Sequence, residues 1–446
     1  MCAGFGGGVC LGDRLRHFLN VYDSRFEDLK RGHLISILYR DFSAGLIVAM
    51  TAIPLAMGFA MASGLRPEQG IIAGAVACLV GRTFGGSKYQ VYGPTAAFIP
   101  VIALIVSKYD HGFLVFVSLL AGIVLMILGL AGMGKVARLV PNGIVVGFTA
   151  GIATLIALTN AGDALGVTFV RQATFVDSIQ GYWAALAGFN PYAVGLALMT
   201  FLLCRYLMRI SVFIPAPLLA IALCTWITSA FLSDKGIVLV ADEFGTIPHD
   251  FFAFTPPVLP ALSLKVFGDV IYFVAAIVFV SGVESLLCSS MADRLAKNTG
   301  TPFNPDKEFW GQGLVQIATS LLNGFPCTGA LARTATSIKA GAVTPMAGYF
   351  KGFLKLFIAY FIARYLEHIP MACIAGILVW VASNMLKFDE ILAEAKSGPM
   401  NALLVVYTAI MVPATDFLTG VLSALAIYAT FVMAGRLYPW RREEPA

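Results

Sequence analysis

Fourteen apolar segments, each bounded by glycine, proline or charged residues, divide this chain of 446 residues. A helix needs about 20 apolar residues to cross the hydrocarbon core of a bilayer, and most of the segments approach that length. The mean hydropathy of +0.83 and the 12% of charged residues lie far from the values of soluble domains. The sequence therefore predicts an all-α polytopic membrane protein. The segments fall at 42–63, 68–84, 93–107, 112–133, 137–158, 192–209, 216–232, 268–290, 309–323, 328–340, 346–366, 370–386, 400–415 and 417–437.

Two of the segments, 93–107 and 328–340, are too short to cross a bilayer, and each is third in its half of the chain. Seven spans is an odd number, so the second set of seven must enter the membrane from the opposite side. We therefore predict 14 transmembrane segments arranged as 7+7 inverted repeats, with half-helices at the third and tenth positions.

The basic residues test this topology. With the N-terminus inside, 23 Lys and Arg fall on the inner side and six on the outer side, Arg333 being set aside. This bias obeys the positive-inside rule and predicts a plasma (inner) membrane protein with both termini in the cytoplasm. The predicted organisation is a cytoplasmic N-terminal segment with an interfacial helix (1–40), a first repeat (41–233), an external loop (234–267), a second repeat (268–437) and a cytoplasmic tail (438–446).

Arg333 is a single charge in an otherwise apolar stretch near the start of the second short helix. Charge is costly inside a membrane, so such an arginine is by default a functional residue, although one that snorkels to the interface is the alternative. Pro326, Thr328 and Gly329 mark a break, which predicts a half-helix that begins near residue 328. Its dipole-positive end and Arg333 would favour the same anion.

A matching break precedes the first short helix at Gly93-Pro94-Thr95. Proline suits the first position of a helix, which predicts a half-helix that begins at this turn. Residues 90–92 and 324–326 are predicted to form brief extended strands before the two half-helices. The two helix N-termini should then face each other with an anion between them.

Glu284 is the one carboxylate that we place within the membrane, and it is the candidate coupling residue. Burial raises the pKa of a carboxyl group and a nearby arginine lowers it, so Glu284 could gain or lose a proton with each transported anion. A permanent Glu284–Arg333 ion pair is the alternative interpretation. Phe59 in the first span is either a cavity-lining side chain or simply a packing residue.

Other chemistries find little support in the sequence. The eight cysteines are scattered, without the spacing of a metal site or a disulfide framework, and predict free thiols. All five histidines lie in the N-terminal segment or in loops, so we expect no metal, no cofactor and no enzyme activity. The net charge of +5 follows the membrane topology and does not indicate nucleic acid.

The chain resembles the SulP family of sulfate-permease-like anion transporters. The resemblance rests on Asp41-Phe-Ser-Ala-Gly45, Ile53-Pro54, Gly93-Pro94, Glu284-Ser-Leu-Leu287 and the stretch from Gly329 to Ala340-Gly341. It implies a fourteen-span inverted-repeat fold in which a core domain (helices 1–4 and 8–11) moves against a gate domain (helices 5–7 and 12–14).

The resemblance also implies roles for particular residues. Tyr92, Thr95 and the backbone of Ala330 would line the anion site. Arg333 would be the basic residue of that site, and Glu284 would be the coupling carboxylate. Residues near these positions complete the predicted substrate-binding set: Phe59, Gly93, Gly329 and Thr334.

Three departures from the family pattern qualify the resemblance. Many relatives carry glutamine where this chain has Leu55. Sodium-coupled bicarbonate relatives have hydroxyl groups where Cys288 and Leu331 align and lack the arginine, which argues against sodium coupling. The family usually ends in a cytoplasmic STAS domain, whereas about ten residues follow the last predicted span here, so we expect either a short form or a shortened chain.

We therefore predict a secondary active transporter that works by alternating access and carries a small inorganic or organic anion such as sulfate, bicarbonate or a carboxylate. Proton symport and anion exchange both remain open, and besides membrane lipid a homodimer is a candidate partner. The alternatives are a nucleobase:cation symporter of the same fold, against which Arg333 argues, and an anion channel or voltage-responsive motor.

Overall fold

A helix lies at each of the fourteen apolar segments in the computed structural model, which describes residues 11–30, 33–134, 140–167, 181, 188–248, 252–261, 263–415 and 417–437. The helices of the first half are α1 (Leu11–Leu19), α2 (Leu34–Ala62), α3 (Pro67–Phe84), α4 (Ile99–Lys108), α5 (His111–Leu130), α6 (Asn142–Thr159), α7 (Ala161–Leu165), α8 (Pro191–Ile210) and α9 (Ala216–Phe231). The helices of the second half are α10 (Val240–Phe244), α11 (Leu264–Leu295), α12 (Pro305–Leu321), α13 (Leu331–Lys339), α14 (Met346–Leu366), α15 (Met371–Met385), α16 (Phe388–Lys396), α17 (Pro399–Ala414) and α18 (Phe417–Leu437).

Seven helical stretches in the described part of the chain are long and apolar enough to cross a membrane, by length and composition. They are Leu34–Ala62, His111–Leu130, Asn142–Thr159, Pro191–Ile210, Leu264–Leu295, Met346–Leu366 and Met371–Lys396. Four more apolar helices are shorter than 18 residues, and α4 is among them. These helices identify an integral membrane protein, while the arrangement as seven plus seven inverted spans stays a prediction.

The helices pack in two groups. In the first group α5 lies along α12, and α14 lies along α2 and α3. Gly122 of α5 and Gly313 of α12 make close approach possible, since a Cβ on either glycine would lie within 2.7 Å of the other's carbonyl oxygen. In the second group α6 lies along α17, and α8 lies along α15. The predicted division into core and gate domains follows the same grouping of elements but stays a prediction.

The N-terminal segment contains α1 and a short 3₁₀ helix, Ser24–Lys30, which lies against the ends of α3 and α12. Arg25 is 4% exposed and donates hydrogen bonds to the carbonyl oxygens of Arg82, Thr83 and Gly85. These bonds occupy carbonyl groups that the C-terminus of a helix leaves without partners. Helix α2 begins at Leu34, so it runs through the predicted domain boundary at residue 40.

Two basic residues that the charge count assigns to the inner side, Lys351 and Lys355, are buried within the helix bundle. Both lie between α14 and α3, at 1% and 0% exposure. A count by sequence segment cannot tell a loop lysine from one in the first turns of the next helix, and the side of the membrane on which they lie stays a prediction.

Candidate functional site

Two short strands bring the two halves of the chain together at the predicted site. Strand β1 (Tyr92–Gly93) pairs antiparallel with β2 (Thr328–Gly329), and Tyr92 lies opposite Gly329. The amide of Ala330 extends the ladder by donating to the carbonyl oxygen of Val91 at 2.9 Å. Because a half-helix follows each strand, this pairing brings the starts of both half-helices to one place.

The structure corrects the predicted starts of the half-helices. The first begins as a 3₁₀ turn at Ala96–Phe98 and continues as α4, and the second, α13, begins at Leu331, so each starts three residues later than predicted. Pro94 is therefore not the first residue of a helix. The predicted strands at 90–92 and 324–326 are also displaced, because ladder pairing between the two halves holds residues 92–93 and 328–329 in extended conformation.

Arg333 lies in the first turn of α13 and is 5% exposed. Its Nη2 donates a hydrogen bond to the carbonyl oxygen of Pro94, and its Nη1 is buried and finds no hydrogen-bond partner among the residues that the structure describes. Gly93 makes room for the guanidinium, since a Cβ there would lie 2.9 Å from Nη1. A buried guanidinium with an unused donor is costly, which makes this nitrogen the natural contact for an anion.

The start of α13 is open on one side. Leu331 is 42% exposed and Ala332 is exposed, while Arg333 beside them is buried. The first bond of the helix runs from the amide of Thr334 to the carbonyl oxygen of Ala330, at 2.9 Å. The N–H groups of residues 331–333 precede that bond and point out of the helix end, where they favour negative charge.

Glu284 meets the first half-helix and not Arg333. The hydroxyl of Thr95 donates to Glu284 Oε2 at 2.8 Å, and the Glu284 side chain is partly accessible. Within the described residues Glu284 and Arg333 form no ion pair, which removes the alternative of a permanent pair. The two charged groups instead bind to adjacent residues, Arg333 to Pro94 and Glu284 to Thr95.

A buried polar network lies behind the strand pair, and the sequence interpretation missed its central residue. Glu308 of α12 is 0% exposed, and it accepts hydrogen bonds from the hydroxyl of Tyr92 at 2.8 Å, the side chain of Gln90 at 2.8 Å and the amide of Gly86 at 2.8 Å. Ser285 also donates to it, at 2.5 Å. Glu308 is therefore a buried carboxylate among these helices that the sequence interpretation did not single out.

The spacing of polar residues on α12 was the signal that could have revealed this network. Glu308, Gln312 and Gln316 recur every four residues and so share one face of the helix. Ser281 of α11 faces them, accepting a bond from Gln316 at 2.5 Å. The face joins α11, α12 and the strand pair, because Gln316 also accepts from the amide of Cys327 at 3.0 Å.

The remaining residues of the predicted set occupy different surroundings. Thr334 is 0% exposed, and its hydroxyl accepts from the amide of Val91 at 2.8 Å, so it holds the strand pair. Tyr92 directs its hydroxyl away from the half-helix ends, toward Glu308. Phe59 is buried in the apolar core of the bundle, in α2. Thr95, Gly93 and Ala330 lie at the half-helix starts with Arg333 and Glu284.

A helical membrane fold with two broken elements that meet at a buried arginine defines a membrane transport protein. The chain belongs to the sulfate permease family, whose sequence model matches residues 38–408. A family of permeases is a family of membrane transporters, and the relatives below bear the names of sulfate and bicarbonate transporters, which argues against an enzyme.

The sequences of two named transporters match most of this chain. A putative sulfate transporter, YvdB of Bacillus subtilis (strain 168), is 33% identical over 410 residues, which are 91% of this chain and 76% of that protein. The bicarbonate transporter BicA of Picosynechococcus sp. is 25% identical over 391 residues, 85% of this chain and 68% of BicA.

Solved structures share the fold. The transmembrane domain of a cyanobacterial BicA aligns with a TM-score of 0.75 and 23% identity over 86% of this chain and 97% of that domain. The murine anion transporter Slc26a9 in its inward-facing state aligns with a TM-score of 0.83 and 16% identity over 97% of this chain and 73% of that protein.

Proposed function

We propose that this protein is a secondary active transporter that carries a small oxyanion, such as sulfate, bicarbonate or a carboxylate, by alternating access. The observation that supports it most is the unpartnered Nη1 of Arg333, buried where two half-helix N-termini meet. The anion would bind to Nη1 and to the free N–H groups at the start of α13, while the hydroxyl of Thr95 donates its one proton to Glu284 and holds that carboxylate beside the site. Gly93, Gly329 and Ala330 would let the backbone approach it.

Not every residue of the predicted set contacts the anion in this proposal. Tyr92 and Thr334 hold the strand pair through their hydroxyl groups and contribute backbone and shape. Phe59 contributes an apolar wall on the α2 side. The anion site itself is then small and lies at the open start of α13.

The movement follows from the packing of the helices. The elements that carry the site, from α2 to α5 and from α11 to α14, would move as the core domain against α6, α8, α9, α15, α17 and α18. In this proposal the chain crosses the plasma membrane fourteen times as two inverted repeats of seven, with half-helices third and tenth and with both termini in the cytoplasm. A homodimer is a further prediction, which the mass of the purified protein in detergent would test.

Glu284 is the proposed coupling residue. It accepts a hydrogen bond from Thr95, the residue after Pro94, to which Arg333 bonds. The charge of Glu284 would therefore act on an anion bound at Arg333. A proton on Glu284 would offset part of the charge of the anion, which gives proton symport; anion exchange is the other mode that the site permits.

Uptake into proteoliposomes tests the proposal. Labelled sulfate, bicarbonate and fumarate are offered with and without gradients of pH and sodium, to wild type, Arg333→Ala and Glu284→Gln, with the exposed Arg364→Ala as the matched control. We expect Arg333→Ala to abolish binding of every transported anion, Glu284→Gln to remove the dependence on the pH gradient, and Arg364→Ala to behave as wild type. Unchanged uptake in Arg333→Ala would rule out the site. Currents without stoichiometric uptake would indicate a channel or motor instead.

A further inference from the structure

Two lysines lie buried directly behind the proposed anion site. Lys351 and Lys355 are one turn apart on α14, and both face α3, with exposures of 1% and 0%. Lysine is rarely buried to this extent unless it is paired, so the two side chains call for a physical reason.

Lys351 is attached to the strand that precedes the first half-helix. Its Nζ donates to the carbonyl oxygen of Tyr92 at 2.8 Å and to the Sγ of Cys78 at 3.0 Å. Tyr92 directly precedes Gly93 in the strand. The guanidinium of Arg333 lies against Gly93. The Lys351 ammonium group therefore bonds to Tyr92, two residues before Pro94, to which Arg333 bonds.

Lys355 lies beside the proline of the same turn. Its Nζ donates to the carbonyl oxygen of Gly70 at 3.0 Å. A Cβ on Gly74 would lie 2.1 Å from this Nζ and 3.1 Å from Cδ of Pro94, so the ammonium group and the proline ring contact the same glycine. The sequence of α3 permits this, because glycine at position 74 leaves room that any other residue would fill.

The positive charges around this turn exceed the negative ones. Arg333 and Lys351 both bond to carbonyl oxygens of the Tyr92–Pro94 turn, and Lys355 lies beside the ring of Pro94 across Gly74. Among the described residues none of the three forms an ion pair with a carboxylate, and the two nearby carboxylates are bonded elsewhere, Glu284 to Thr95 and Glu308 to Tyr92. Burying like charges without a counter-ion is costly, so the cluster is most stable when an anion of more than one charge is bound.

We propose that Lys351 and Lys355 determine the charge of the preferred anion, so that the site favours a dianionic oxyanion over a monoanion. The two ammonium groups act through the Tyr92–Pro94 turn, without contact to the anion, and are therefore specificity residues that tune the field at the site. This inference rests on the proposed anion transport and adds to it a charge class and two residues.

The test compares one dianion with one monoanion. Binding and uptake of labelled sulfate and labelled formate are measured in proteoliposomes for wild type, Lys351→Met and Lys355→Met, with the exposed Lys387→Met as the control. Methionine keeps an unbranched side chain of similar length and removes only the charge and the donor. We expect each buried variant to lower the sulfate-to-formate preference about tenfold, which is what one unit charge supplies across roughly 10 Å at an effective dielectric of about 20. Lys387→Met should leave the preference unchanged.

The preference separates this role from a structural one. If the lysines only hold the Tyr92 and Gly70 carbonyl groups, the methionine variants will be less stable but will keep the wild-type preference, and that result overturns the inference. Wild type that binds formate as tightly as sulfate overturns it without any variant. Lys351→Gln and Lys355→Gln, which remove the charge but keep a donor, replace the methionine variants should those fail to insert. Loss of anion transport as a whole, tested by Arg333→Ala, is a separate readout that concerns the proposed function and not the two lysines.

Discussion

Arg333 donates a hydrogen bond from Nη2 to the carbonyl oxygen of Pro94, a residue 239 positions earlier in the chain. The bond fixes the guanidinium of the second half-helix on the turn before the first one. Because this bond uses Nη2 and leaves Nη1 free, an anion can bind to the arginine without releasing it from the turn. The two halves of the chain therefore share one cationic group at the place where their broken elements meet.

Gly93→Ala is expected to weaken anion binding. The new Cβ would lie 2.9 Å from Nη1 of Arg333, and the φ of +153° at this position is unfavourable for a residue with a side chain. The guanidinium must then move away from the turn. We expect the dissociation constant for the transported anion to rise at least about tenfold, equivalent to roughly 1.4 kcal/mol, as measured by binding to the purified protein.

Gly195→Ala is the control for that prediction. A Cβ at Gly195 in α8 would meet nothing within 4 Å, so the same chemical change there should leave anion binding as in wild type. Equal binding by Gly93→Ala and Gly195→Ala would show that the position of Nη1 does not matter for the anion.

Thr95→Val removes the hydroxyl that holds Glu284, at nearly constant volume. The lost bond, 2.8 Å long, orients the carboxylate toward the first half-helix. We expect the proton-dependent part of uptake to fall roughly fivefold, which corresponds to about 1 kcal/mol for one hydrogen bond. Initial rates with and without a pH gradient measure it. Thr336→Val, whose hydroxyl bonds only to its own helix at Ala332, is the control and should keep the pH response of wild type.

Glu308→Ala is expected to destabilise the whole bundle. It would leave the hydroxyl of Tyr92 and the amide of Gly86 buried without an acceptor, and it would remove one of the two acceptors of Gln90 Nε2, the other being the hydroxyl of Ser285. Each such group costs about 1–3 kcal/mol, so the free energy of unfolding should fall by roughly 3 kcal/mol or more.

The unfolding midpoint in detergent measures this effect. Glu308→Gln keeps one acceptor oxygen and should lose less stability than Glu308→Ala. Glu390→Ala, which breaks an exposed ion pair with Lys387, should change the midpoint little. A midpoint for Glu308→Ala close to that of Glu390→Ala would mean that the network does not stabilise the fold.

The helices were predictable from the sequence because the backbone itself requires them. Inside hydrocarbon the backbone of a segment must satisfy its hydrogen bonds within that segment. Each long apolar run is therefore predicted to be a helix. The half-helix starts were displaced by three residues because the pairing of Tyr92 with Gly329 joins positions far apart in the chain. Local signals such as Pro94 favour a helix start and carry no information about a strand partner in the other half.

The sequence singles out a candidate residue where one side chain is anomalous, and it misses contacts that several residues share; that the candidate site binds an anion stays a prediction. Arg333 stood out as a lone charge, and the structure places it at the meeting point of the two half-helices. The contact of Glu284 with Thr95 depends on the relative position of α11 and the first half-helix, which no spacing reveals. The sequence analysis counted Lys351 and Lys355 only as inner-side charge, because their burial against α3 depends on Gly74 of that helix and on the packing of α14, which no spacing reveals.

Asp23 should make the attachment of the N-terminal segment dependent on pH. It accepts hydrogen bonds from Arg25 Nε at 2.8 Å and from Lys307 Nζ at 2.6 Å. Burial alone raises the pKa of Asp23, but the hydrogen bonds and charges of Arg25 and Lys307 outweigh it and lower the pKa below 3.8. A carboxyl group whose pKa is lower in the folded state stabilises that state fully above its unfolded pKa of about 3.9, and the stabilisation disappears as the pH falls through the folded value.

The unfolding midpoint of wild type should therefore exceed that of Asp23→Asn at neutral pH, and the two curves should converge as the medium is acidified below about pH 4. Curves that stay parallel over the whole range would show that the ionised carboxylate does not hold the segment on α3 and α12.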